Sequence, residues 1–482
     1  MEQKSGAQIS QKAFIQSVVI LFALMMIAGI LTLVIPAGQY ERTELDGRET
    51  IVPDSFTFTE RPDYPFWRWF IAPLEVLTGA DGLTVIVITV FILMVGVAFA
   101  VMDKSGILKA ALARIVRRFE KQKYALLLII SFFFMALGAF FGIFEEIVPL
   151  VPLMIALAYS LKWDTLTGLG MSILATNMGF SAAITNPFTI GVAQGIADLP
   201  AFSGAGYRII VFIFMYILLG VFLVRHAKKV EANAKASPVY EEEQVTRQKY
   251  SAFTAEALAA ENSRTTPAMV FLLICVVLIF ATLFASPFVP AISDFALPLV
   301  GLLFLIAGIG SGLIAGVGKE AWKAAGEGLA GIAPAIPLIL MAASVKYIIA
   351  SGGILDTILY NASNALQGAT PVSAALLIYF LTLVIEFFVS SGSAKAFLIM
   401  PIMIPLADLV GVTRQTAVLA YVFGDGFSNL AYPTSAVLLV CLGLTAVTYP
   451  KWLRWVMGLW VWVILASLIF LTIAVMINYG PF

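Results

Sequence analysis

Apolar blocks of about 17 to 25 residues recur along the whole chain, each long enough to cross roughly 30 Å of hydrocarbon as a helix. Polar segments divide them, several of these rich in basic residues. The pattern predicts spans at 14–36, 82–102, 164–195, 207–225, 265–286, 294–317, 331–349, 413–443 and 452–476. Two further apolar blocks, 124–161 and 372–410, do not fit one crossing each. The first has arms around GIFEEI and the second has arms of similar length around SSGSAK, so both are predicted to enter and leave on the same side as re-entrant hairpins. An irregular tip at membrane depth is tolerated only where protein or a water-filled cavity surrounds it.

Charge placement supports this count. With the N-terminus inside, the cytoplasmic segments hold Lys104, Lys109, Arg114, Arg117, Arg118, Lys121, Lys123, Lys162, Arg225, Lys228, Lys229, Lys319, Lys323, Lys451 and Arg454, among others. The outside keeps Arg42, Arg48, Arg61, Arg68, Arg208 and Arg414, which satisfies the positive-inside rule only if the two special blocks do not cross. The C-terminal NYGPF then lies outside, and a bacterial cytoplasmic membrane is the expected location. WRWF at 67–70, in the acidic outer segment 37–81, reads as an interfacial anchor.

Composition narrows the class. At 61% hydrophobic and 12% charged over 482 residues, no room is left for a large soluble domain. The block from Phe14 is too long, and lacks the small-residue site, for a removable signal peptide, so it is expected to stay as the first span. Cys275 and Cys441 both lie in apolar helices and read as packing residues. His226, the one histidine, ends a span in a basic stretch and reads as interfacial. An enzyme would therefore depend on carboxylates alone, and no cofactor and no nucleic-acid partner are expected. A channel would need a continuous polar lining, whereas polarity here concentrates at two tips and two breaks.

The halves repeat. PLMIALAYSLKWDTLTGL from Pro152 aligns without gaps on PIMIPLADLVGVTRQTAV from Pro401, and MGFSAAITNP (178–187) falls opposite DGFSNLAYP (425–433). This divides the chain into a cytoplasmic N-terminus (1–13), a first repeat (14–225, hairpin 124–161, broken helix 164–195) and a linker (226–264). A connecting helix (265–286) and an inverted second repeat (294–482, hairpin 372–410, broken helix 413–443) follow. The predicted class is an all-α polytopic membrane protein, an inverted-repeat transporter with about nine transmembrane helices, two of them broken, plus two re-entrant hairpins.

Few polar groups remain at membrane depth, and each ionisable one is a functional candidate. Glu145 and Glu146 sit at the first tip; being adjacent, they point about 100° apart on a helix. The first break offers Asn177, Ser181, Thr185 and Asn186 before Pro187; the second offers Asp425, Ser428, Asn429 and Thr434 around Gly426 and Pro433. Ser390, Ser391, Gly392, Ser393 and Lys395 at the second tip suit a substrate carboxylate. An ion site is expected near Asn177, Asn186, Asp425 and Asn429. Glu386 and Lys346 read as groups that pair with a neighbour or snorkel.

FGIFEEIVPLVPLMIALAY, TNPFTIGVAQG, SSGSAKAFLIMPIMIPLAD and FGDGFSNLAYPTSAVLL together resemble the YfcC-like and DcuC-type carriers of the ion transporter superfamily. The resemblance covers nearly the whole chain. It implies a homodimer, a scaffold region, and a transport region that carries both hairpins across the membrane as an elevator. The Ser-Asn-Thr hairpin motif of the superfamily's sodium-coupled dicarboxylate carriers is absent; GIFEEI stands in its place, which weighs against sodium coupling and a dicarboxylate. Two carboxylates repel a dianion and attract a guanidinium or ammonium group. An arginine- or ornithine-like cargo is therefore favoured over a C4-dicarboxylate, another amino acid or a peptide, with H+ or Na+ as the coupling ion.

Overall fold

The structure, a computed structural model, describes residues 11–45, 48–80, 82–107, 110, 114, 118–244, 263–285, 289, 295–366, 368–445 and 447–480. The N-terminal residues 1–10, Lys109, Arg117, the stretch 245–262 of the expected linker and the end of the expected connecting helix lie outside the described residues.

The long apolar blocks form helices because a bilayer offers no partner for free backbone groups. They are α1 (Gln11–Val34), α2 (Arg68–Glu75), α3 (Gly82–Lys104), α4 (Lys123–Ala136) and α5 (Val151–Ser160). The first broken unit follows as α6 (Thr165–Leu169), α7 (Ala175–Ala182) and α8 (Val192–Ile196). Then come α9 (Ala205–Ala232), α10 (Thr265–Ala285), α11 (Ala296–Ile314), α12 (Glu320–Ile332), α13 (Ala335–Ser351) and α14 (Leu355–Leu366). The chain closes with α15 (Pro371–Glu386), α16 (Gly392–Leu409), α17 (Arg414–Gly426), α18 (Ala436–Gly443) and α19 (Tyr449–Met476).

Among the described residues, eight helical stretches are long and apolar enough to cross a membrane, including Lys123–Phe141, Gly392–Leu409 and the joined Glu320–Ser351. Exposed apolar side chains such as Ile210, Ile213 and Ile217 on α9, Leu273 and Val277 on α10, and Trp462 and Ile469 on α19 mark faces suited to lipid.

The expectation of an all-helical chain needs one correction. Segment 37–60 forms two small antiparallel ladders, β1 (Gly38–Gln39) on β4 (Thr57–Phe58) and β2 (Arg42–Leu45) on β3 (Arg48–Ile51). Their sequence is polar and short, which hides it from a hydropathy reading. Phe56 stacks on Tyr360 at 4.1 Å and Arg42 pairs with Asp356 at 2.9 Å, which fastens this cap to α14. Within WRWF, Trp67 and Phe70 are exposed but Trp69 is buried against Gly29 of α1, so one aromatic of the expected anchor is a packing residue.

The lone histidine lies apart from the breaks and tips. His226 bonds Asp164 through Nε2 at 2.8 Å and receives the Trp455 indole N–H on Nδ1 at 3.1 Å. Asp164 also caps α6 through the Thr167 N–H, and Ser237 and Glu243 of the segment after α9 bond Asp164 and Thr165. This network ties the start of the first broken unit to α9 and α19.

Arg208 holds the middle of that unit. Its fully buried guanidinium donates to the carbonyls of Ala183, Ile184, Phe202 and Ser203 and to the Tyr479 hydroxyl. Ala183 is in a left-handed conformation, φ 42°, where α7 ends. A cation among the free carbonyls at a helix C-terminus is favourable. Arg208→Met strands these carbonyls in a dry site and is expected to cost at least about 3 kcal/mol. A melt of the purified variant that matches the parent would refute this.

Candidate functional site

Both special blocks fold as helix, tip, helix. After α4 come a π-turn, Leu137–Phe141, and the tip Gly142–Phe144; a 3-10 turn, Glu145–Leu150, with Pro149, then leads into α5. Gly142 has φ 68°, and a Cβ there would lie 2.3 Å from Asn186 Oδ1, so the tip needs glycine for conformation and for room. The two glutamates diverge. Glu146 Oε2 turns back to accept the Phe144 N–H at 3.0 Å, whereas Glu145 lines a small apolar cavity with Ile88, Phe91, Ile92, Leu297, Val437 and Val440. Both are half-buried. Glu146 therefore stabilises its own turn in this conformation, and Glu145 faces the groove between α3, α11 and α18.

The first break leans on this tip. Thr185 donates its hydroxyl to Phe140 O at 2.9 Å and its N–H to Ala139 O at 3.0 Å. Asn186 Oδ1 accepts from the N–H groups of Phe188 and Thr189, capping the turn Pro187–Gly191 that Pro187 opens. Ser181 bonds back to Asn177 O at 2.6 Å within α7, and Ser428, in the turn after α17, bonds back to Gly424 O at 2.9 Å. The two breaks touch: a Cβ on Gly426 would sit 2.4 Å from Ser181 Oγ.

The second tip contains the densest charge. Lys395, in the first turn of α16 and fully buried, reaches Glu386 at the end of α15, Asp425 Oδ1 on α17 at 2.7 Å, and Val389 O at 3.0 Å. Its three donors are thus committed within the protein in this conformation. Tyr421 OH donates to Gly392 O, and a Cβ on Gly392 would lie 3.0 Å from Asp425 Oδ2 and 2.8 Å from Thr189 Cγ2. Asp425 Oδ2 and the hydroxyl of Thr189 are buried without a hydrogen-bond partner, as are Asn177 Oδ1 and the Thr434 hydroxyl. Ser390 and Ser391 are exposed, and Ser393 is half-buried.

The chain from residue 14 to residue 476 matches the family model "DcuC: C4-dicarboxylate anaerobic carrier". The chain belongs to the DcuC family. Within that family setting, it is 30% identical to the Escherichia coli protein named "Putative basic amino acid antiporter YfcC", over 91% of this chain and 92% of that protein. It is also 26% identical to a Haemophilus influenzae protein named "Uncharacterized protein", over 77% of this chain and 72% of the other. The crystal structure of the Alcanivorax borkumensis YdaH transporter aligns with 97% of this chain and all of its own, at 19% identity and a TM-score of 0.41, a likeness too low to carry an argument. Membership makes this a multi-pass membrane transporter with a small-molecule substrate, in keeping with its apolar helices.

For a DcuC-family chain, the fold brings several expected site residues together. Thr185 and Asn186 meet the first tip; Gly392, Lys395 and Asp425 meet at the second; Ser181 meets the second break at Gly426. Glu145 stands against α18 in its own groove. Sequence reasoning left out Thr189 and Tyr421 and gave Glu386 only a pairing role. Thr189 had a visible signal, a hydroxyl within TNPFTIG two residues after the helix-breaking proline. Tyr421 had none, because an aromatic in an apolar helix looks like packing.

Proposed function

We propose that this protein is a secondary active transporter of a cationic amino acid, arginine- or ornithine-like, working by uptake or exchange. In this reading the two helix–tip–helix units are re-entrant hairpins in inverted repeats, with the N-terminus inside and the C-terminus outside. A homodimeric scaffold holds a transport region that carries the cargo across as an elevator. The observation that carries the cargo assignment is charge: around the two tips and the second break stand Glu145, Glu146, Glu386 and Asp425, with Lys395 as the cation among them. A guanidinium or ammonium group gains from that excess, and a dicarboxylate loses. The name of the E. coli relative supports the same cargo class. The cargo's carboxylate has the exposed hydroxyls of Ser390 and Ser391 and the start of α16 to meet.

The family's description favours a C4-dicarboxylate instead. Uptake of labelled arginine, ornithine, aspartate and succinate into proteoliposomes, with internal substrate and with or without proton or sodium gradients, separates the two. Arginine or ornithine uptake stimulated by internal substrate is expected; strong succinate uptake that ignores arginine would overturn the assignment.

A further inference from the structure

Lys395 is fully buried between two carboxylates that are themselves 1% exposed, Glu386 and Asp425. Two carboxylates against one ammonium leave one negative charge inside the protein. An uncompensated buried charge is among the costliest features a fold can keep, and more so at membrane depth. Among the described residues, the titratable groups facing this cluster come from three elements: Glu386 from α15, Lys395 from α16, and Asp425 and Tyr421 from α17. The Tyr421 hydroxyl is spent on Gly392 O, and the neighbouring turn Pro187–Gly191 adds the neutral Thr189. None of these supplies a second positive charge. The unpartnered Oδ2 of Asp425, against Gly392, marks the place where one would be received; the methyl of Thr189, whose buried hydroxyl also has no partner, faces the same glycine.

We propose that the cluster is a one-cation exchange site. Lys395 is a tethered, resident counter-charge, and the second positive charge is supplied alternately by a proton on Asp425 and by the ammonium or guanidinium of the cargo beside Asp425 Oδ2. When the cargo's cation enters, the Asp425 proton leaves to solvent; when the cargo leaves, Asp425 takes up a proton. One positive charge replaces another, so the dry cluster stays neutral in both states. The tightness of coupling is then set by Glu386, a residue that need not touch the cargo: without Lys395, Asp425 alone would already carry the single negative charge, and Glu386 exists to offset that lysine. Glu386 is a positioning and charge-setting residue here. This rests on the reading that the cargo is cationic.

The charge count gives a test that a merely structural pair would fail. In nanodiscs, with the full chain, arginine binding is measured together with proton release to a pH indicator. The parent is expected to release on the order of one proton per arginine bound where Asp425 begins protonated. Glu386→Gln leaves Lys395 and Asp425 as a neutral pair. It is expected to weaken arginine binding at least about tenfold and to abolish proton release. The double variant Glu386→Gln/Lys395→Met restores a single negative charge and is expected to recover binding to within about threefold of the parent.

If Glu386→Gln binds arginine and releases protons like the parent, or if the double variant is no better than the single one, the proposal is wrong. A cargo-independent arm uses methylammonium, a minimal cation, which should raise the melting temperature of the parent and not of Glu386→Gln. A parent that binds succinate and not arginine overturns the cationic-cargo reading; equal stabilisation of both proteins by methylammonium, or of neither, overturns the exchange site itself.

Discussion

Asp425→Asn is expected to lower uptake of a cationic amino acid at least about 100-fold while the protein still folds, an effect of roughly 2.7 kcal/mol on cargo binding. The substitution changes little in shape. It removes the charge that Asp425 Oδ1 presents to Lys395 at 2.7 Å and that Oδ2, buried without a hydrogen-bond partner, holds against Gly392. Lys395 is not stranded, because Glu386 and Val389 O still hold it. The variant therefore keeps a neutral, satisfied pair and loses the negative charge a cargo cation would meet. Breaking a buried pair by removing the lysine instead would leave two carboxylates side by side, which is the more damaging change to the fold. Uptake in proteoliposomes, with a melting curve on the same preparation, checks both halves of the expectation. Asparagine that transports within threefold of the parent would show that Asp425 serves Lys395 alone.

Gly179→Ala should be severely damaging for a single added methyl. A Cβ on Gly179 would lie 1.7 Å from Met135 O, and one on Gly138 would lie 2.2 Å from Thr176 O, so α4 with its π-turn and α7 press backbone on backbone through a reciprocal pair of glycines. Small residues at such crossings let helices approach closely where lipid offers no hydrophobic drive for association. The obstacle is main chain rather than a flexible side chain, so relief requires moving one helix off the other. A cost above about 3 kcal/mol is expected, beyond ordinary overpacking. It would appear as loss of monodisperse protein in size-exclusion chromatography and loss of transport. Gly195→Ala, where an added Cβ meets nothing within 4 Å, is the matched control. If both behave like the parent, the two helices can separate more easily than their packing implies.

Much of this architecture was legible in the order of residues. The helices at 82–104, 205–232 and 449–476 follow from unbroken apolar runs. The interruptions are marked by Pro187, which opens the turn after the first break, and by Gly426 and Pro433, at the end of α17 and beyond it, residues that remove donors or loosen helical geometry. Asp164, Thr370, Thr413 and Ser435 cap the helices that follow them through side-chain bonds, signals a reader of sequence can use. The ladders of segment 38–58 were not legible, since strands of two to four residues carry too little periodicity to register.

At the site, the sequence by itself determined which groups are expensive enough to matter. Glu145, Glu146, Glu386, Lys395 and Asp425 stand out because an ionisable side chain in an apolar run costs free energy wherever the run ends up. That is a local property, readable without coordinates. Only the tertiary structure decided what each charge does, because pairing depends on three helices converging. It turned Glu146 back onto its own turn, left Glu145 in the groove against α18, and closed Glu386 and Asp425 around the lysine that SSGSAK had seemed to offer to a carboxylate. It also put Thr189 beside Gly392, across from a carboxylate oxygen with no partner. Composition shows that charge is buried; which charges face one another, and with what net sign, is settled by packing.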